Sequence, residues 1–128
     1  MDKILNIANH IINICIDLEK PINVFNLQKI LFLANEKYHK KLFKDKLIYI
    51  PKYPYPRYEK VFKEYMIYGA NPIVLKAEVE KIKKKKTKIL HETIKENIDL
   101  APWEMNEKII RILGYCYEWY FDTRYFVC

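Results

Sequence analysis

Asn26-Leu27-Gln28-Lys29-Ile30-Leu31-Phe32-Leu33-Ala34 is the stretch on which the reading of this chain turns. Leu27, Ile30, Leu31 and Ala34 recur at three- and four-residue spacing, which puts their side chains on one face of an α-helix. Gln28 and Lys29 interrupt that face directly after Leu27, so at least one of them projects beside the apolar stripe. A buried amide there needs partners. Either Gln28 binds an irregular loop and fixes a recognition surface, or it satisfies main-chain groups that prolines leave unpaired. The second, structural role is favoured.

The flanks continue the helical pattern. A first helix is expected from about Lys3 to Leu18 with Asp2 as its N-cap. Its stripe is Ile4, Ile7/Ala8, Ile11, Ile14/Cys15 and Leu18, with Asn6, Asn9, Asn13 and Asp17 facing away. Lys20-Pro21 ends it, and Asn23 or Asn26 caps the second helix, which runs to about Lys41. A hairpin of two helices follows from the short Pro/Asn turn between them. Leu47-Ile48-Tyr49-Ile50 is too short for a helix and is β-prone. Pro51, Pro54 and Pro56 then forbid both helix and central strand. Arg57 to Tyr68 reads as helix, and Gly69 suits a position needing positive φ. Between Ile73 and Ile98 apolar residues are sparse, giving one or two exposed helices broken near Lys83–Thr87. Ala101-Pro102 opens a last helix through Ile109, Leu113, Tyr117 and Tyr120.

The fold class expected is therefore mainly α, a compact helical domain of about five to six helices with a short β element near residues 47–50. Residues 1–128 form one domain, long enough for a core without staples, since 51% of them are hydrophobic and only two are glycine. The net charge of +7 suits an acidic partner, but the excess of Lys, Ile, Asn and Tyr is also the bias of an AT-rich genome. Cys15, Cys116 and Cys128 are far apart and odd in number, which implies reduced thiols. Ile4–Leu18 is too interrupted by polar residues for a signal peptide, and no apolar run would span a bilayer, so a cytoplasmic location is expected.

The segment from Leu27 to Ala34 resembles the core helix of the Panacea domain, a family best known as the antitoxin half of bacterial toxin–antitoxin pairs. The likeness is strongest over residues 4–72; it includes the helix Tyr58–Tyr65 and the Tyr68-Gly69 and Asn71-Pro72-Ile73 that follow. The family's Trp-x-Tyr-Gly-Pro signature falls on Lys52 to Pro56, where its Trp is Lys52 and its Gly is Tyr55. Residues 73–128 form a divergent C-terminal half expected to be helical, so the chain reads as a divergent member. The resemblance implies a protein-binding domain that neutralises a cognate toxin by occlusion. Tyr53, Tyr55, Tyr58 and Phe62 would supply contact and Arg57 an orienting charge, on a scaffold set by Leu27, Gln28, Lys29, Leu31, Tyr68 and Gly69. A phage anti-defence inhibitor acting on a host defence protein is an alternative on the same scaffold.

Other readings remain. The tyrosines from Tyr49 to Tyr58 can pack their rings on the second helix, make a protein hot spot, or stack bases, in that order of preference. Lys81 to Lys88 is the densest charge run. Lys83, Lys84, Lys85 and Lys86 would contact phosphate in a nucleic-acid-binding domain, although a solvated lysine face is favoured. His10, His39 and His91 are isolated and no cysteine pair has metal-ligand spacing, so no metal is expected. Neither glycine lies in a phosphate loop, and no nucleophile sits beside a base. The expectation is no cofactor and no enzyme activity.

Overall fold

The computed structural model describes residues 1–49, 51 and 55–97. The mainly helical fold is as expected. Among the described residues are four α-helices, a 3-10 turn and a two-stranded antiparallel sheet; the last expected helix, after Ala101, lies outside them.

Helix α1 (Ile4–Asp17) buries Ile4, Ile7, Ala8, Ile11, Ile12, Ile14 and Cys15, the stripe its spacing dictates. Asp2 is not its cap. Lys3 holds that position without a side-chain bond, while the Asp2 main chain bridges Phe43 and its carboxylate takes Lys86 Nζ. At the other end Glu19 adopts φ 58°, and the Lys20 N–H reaches back to the Cys15 carbonyl at 2.9 Å. That left-handed closure satisfies a terminal carbonyl and turns the chain into Pro21.

Helix α2 (Val24–Lys37) starts at Asn23, whose side chain accepts the Asn26 N–H at 2.9 Å. Every residue from Ile22 to Leu31 is buried, so the first turns of α2 run inside the molecule. Both Gln28 and Lys29 are therefore interior. The helix stops at Lys37 rather than Lys41: His39 and Lys40 are left-handed, with φ 55° and 61°, and Asn35 Oδ1 accepts the N–H groups of Leu42 and Phe43 at 3.1 and 3.4 Å. The asparagine offers those amides an alternative to a helical carbonyl. It also turns Leu42 and Phe43 into the core.

Strand β1 (Leu47–Ile48) pairs with β2 (Arg57–Tyr58), Leu47 opposite Tyr58 and Ile48 opposite Arg57. Because Arg57 and Tyr58 are in the ladder, α3 (Glu59–Tyr65) begins two residues later than the periodicity indicated. A 3-10 turn (Met66–Tyr68) follows, ending at Gly69 with φ 53° and ψ −126°, a backbone region essentially closed to residues with a Cβ. The Ile73 N–H then bonds the Ile22 carbonyl at 2.8 Å.

The largest departure lies between Val74 and Lys83. This segment is not helical but a strap along α1, and its main chain bonds to Asn6, Asn9, His10 and Asn13. Asn6, Asn9 and Asn13, expected only to face away from the apolar stripe, thus hold a second layer of chain. Helix α4 (Lys84–Asn97) then begins within the expected break, with Lys86, Leu90, Thr93 and Ile94 on its buried face. Helices α1 and α2 pack together, and both α3 and α4 pack on that pair. No helix among the described residues is long and apolar enough to cross a membrane.

Two substitutions test this packing. Leu31→Ala, at a fully buried position, should lower the free energy of unfolding by about 3 kcal/mol, and Gly69→Ala by about 1–3 kcal/mol, both read from urea titrations with an unchanged slope.

Candidate partner-binding site

Gln28 is 3% exposed, and both ends of its amide are used on one residue. Its Oε1 accepts the Tyr58 N–H at 2.7 Å and its Nε2 donates to the Tyr58 carbonyl at 3.3 Å. A side-chain amide thus pairs with a main chain as a neighbouring strand would, and β2 is clamped on α2. Tyr58 follows Pro56 by two residues, in a segment the prolines keep out of any longer ladder. Tyr58 itself is 2% exposed, its ring edge-on to Phe43 at 5.1 Å and 82°. Burial raises its phenol pKa well above the ordinary value; the charges of Glu36, Tyr49 and Asp45 add to this and a hydrogen bond from Asn35 opposes it.

The clamp decides which of the expected contact residues can meet a partner. Arg57 is 4% exposed; its guanidinium pairs with Glu59 at 2.8 Å and lies 4.8 Å from the Phe62 ring centre. Burial lowers its pKa, and the neighbouring carboxylate offsets part of that. Phe62 is 4% exposed. Tyr58, Arg57 and Phe62 are therefore core residues, not docking residues: fixing Tyr58 on α2 turns its neighbours inward with it. Tyr55 stays half-buried, edge-on to Phe32 at 6.1 Å and 5.3 Å from Lys29 Nζ. The Lys29 ammonium is held over that ring, and burial lowers its pKa. Tyr53 lies outside the described residues. Of the scaffold set, Leu27 and Leu31 are fully buried, and Tyr68 and Gly69 form the turn after α3.

On the outer side of the hairpin Tyr49 is 72% and Leu47 38% exposed. They rim a cavity of about 280 Å³ whose walls include Phe32, Asn35, Phe43 and Asp45. Tyr49 opens the tyrosine stretch that could make a protein hot spot, but Leu47 did not stand among the expected contact residues. The alternation of a strand was the available signal, since residues two apart share a face.

In the lysine run, Lys83, Lys84 and Lys85 are exposed but Lys86 is not. Its Nζ pairs with the Asp2 carboxylate and lies 5.9 Å from the Tyr38 ring centre, which removes it from any phosphate-binding face. The first turn of α4 has no acidic residue of its own, and Asp2 brings the negative charge that a helix N-terminus favours. Among the described residues no group of three or more His, Cys, Asp or Glu side chains is placed to hold a metal ion. Comparison with protein-family models, curated proteins and solved structures finds no match to this chain.

The buried acids set an alkaline limit. Burial raises the Cys15 thiol from 9.0 to about 12 and the Tyr65 phenol from 10.0 to about 12. The unfolded chain then releases these protons first, so stability is complete below pH 9 and falls as pH climbs toward 12. Lys29 acts in the opposite sense, because its charged form is the one burial disfavours. The midpoint of urea unfolding should therefore drop between pH 9 and 11. Tyr65→Phe should start less stable yet show a flatter decline above pH 10.

Proposed function

We propose that this chain is a protein-binding domain of the antitoxin type, a divergent relative of the Panacea family, which neutralises a cognate protein by direct binding and not by catalysis. One observation carries the reading, the two-point bond from Gln28 to the Tyr58 main chain. It gives the residue at the heart of the Leu27–Ala34 motif a definite task, holding β2 on a buried helix. A rigid platform loses little entropy on association, which favours tight capture. The surface on offer is Leu47 and Tyr49 at the rim of the cavity beside Phe32 and Asn35. Aromatic side chains beside a pocket are the usual anchors of a protein interface. The partner is a toxin or, for an anti-defence inhibitor built on this scaffold, a host defence protein.

A second reading rests on Lys83, Lys84 and Lys85, which stay exposed at the start of α4. As a nucleic-acid contact this face would lose affinity steeply with salt.

The product of the adjacent open reading frame is the first partner to test, by calorimetry across a salt series. A complex that survives high salt and weakens at least about tenfold with Leu47→Ser and Tyr49→Ala, at unchanged thermal stability, supports capture through the hairpin. Retained affinity in that variant overturns the hairpin assignment. Binding of DNA or RNA that collapses with salt, with no protein captured, overturns the antitoxin reading.

A further inference from the structure

Helix α1 carries a polar ladder that holds a peptide main chain. Asn13 donates from Nδ2 to the Ala77 carbonyl and accepts the Ala77 N–H at Oδ1, both at 2.8 Å. Asn6 repeats the two-point bond at Glu80, at 3.0 and 2.8 Å. Between them Asn9 Nδ2 donates to the Glu78 carbonyl at 3.3 Å, and His10 Nε2 lies 2.7 Å from the Glu80 carbonyl. A carbonyl only accepts, so the His10 ring donates from Nε2. Tyr65 donates its hydroxyl to Asn9 Oδ1, which leaves Asn9 Nδ2 for the strap.

The repeat has a metric basis. Asn6 and Asn13 are seven residues apart, about 10.5 Å along a helix. Ala77 and Glu80 are three apart and must cover a similar distance, about 3.5 Å per residue, close to full extension. Two turns of helix thus match three residues of extended chain, running the opposite way. Each of these hydrogen bonds from α1 goes to a main-chain N–H or C=O group of the strap. Lys76 adds an ion pair to Asp17 at 2.5 Å.

The strap's own side chains contribute little in return. Val74, Leu75 and Val79 are 60, 71 and 41% exposed, and only Ile73 before them is fully buried. Ile82, at the end of the strap, is partly buried against the core, so it is the stretch Val74–Lys81 that rests chiefly on main-chain bonds, and such a stretch opens locally without global unfolding. We propose that the Asn6–Asn9–His10–Asn13 face is a docking site for an extended peptide of a partner protein, and that Val74–Ile82 occupies it as an internal stand-in. The occupant is defined by what sits there now: a fully extended stretch, a small residue at the Ala77 position and a cation just before it. The site does not depend on the hairpin around Tyr49.

The test uses the full chain and a fluorescent nonapeptide with the sequence of residues 74–82, followed by anisotropy and by amide hydrogen exchange. Ala77→Pro in the protein removes one ladder donor from the internal strap and leaves α1 untouched. It should tighten peptide binding about fivefold, the value of one main-chain hydrogen bond. Proline at the same place in the peptide removes the same donor and should weaken binding about fivefold, whereas Asn6→Leu with Asn13→Leu in the protein should abolish it. In the wild-type protein the Ala77 and Glu80 amides should lose protection as peptide is added. Absence of saturable binding to both wild type and Ala77→Pro overturns the proposal. So does bound peptide with Ala77 and Glu80 still protected. The Leu47→Ser, Tyr49→Ala variant should bind the peptide like wild type; if it fails to, the two surfaces are one and the separate site proposed here is wrong.

Discussion

A single glutamine amide joins the two halves of this structure that sequence periodicity could not join. On one side is α2, buried on all faces through its first turns; on the other is a chain segment that prolines bar from ordinary pairing. Gln28 supplies β2 with the donor and acceptor that a longer sheet would have given it. Loss of that pairing would strand an N–H and a carbonyl in a dry interior, which costs more than an average hydrogen bond contributes. From the clamp follow the burial of Tyr58 against Phe43, the inward turn of Arg57 onto Phe62 and Glu59, and the outward position of Leu47 and Tyr49.

The same device recurs elsewhere in the fold. Asn23 caps α2, Asn35 recruits the amides of Leu42 and Phe43, and Asn6, Asn9 and Asn13 hold the strap. Short loops and non-helical runs are thus fastened by amide side chains on the helices, not by strands of their own. That economy suits a chain with little sheet, and it leaves rigid surfaces whose outward side chains are not occupied in holding the fold. Such a surface is a reasonable foundation for gripping another protein, the role proposed for the hairpin.

What was legible in the sequence was what leaves a periodic or stereochemical trace. The stripe Leu27, Ile30, Leu31 and Ala34 gave the central helix; Asn23, one of two asparagines that suited the cap, gave its start, Leu47-Ile48 the short strand, and Gly69 the turn with positive φ. The strap was not legible, because side-chain to main-chain pairing imposes no pattern on the residues it holds; Val79 and Ile82 were counted toward a helix that is absent. The asparagines of α1 were legible as a row but not as a contact, since solvent and a peptide backbone make the same demand on an amide. Arg57 and Lys86 belong to residue types rarely buried, and their partners, Glu59 and Phe62 for the one and Asp2 and Tyr38 for the other, explain their placement.

The central claim is that Gln28 holds β2 on α2. Hydrogen exchange of the Tyr58 amide in the wild type and in Gln28→Leu, a change that keeps side-chain bulk, tests it most directly. The account predicts a strongly protected Tyr58 amide that loses at least about tenfold of its protection in the variant, while Ile11 and Leu31 amides keep theirs. Equal protection of Tyr58 in both proteins would contradict it.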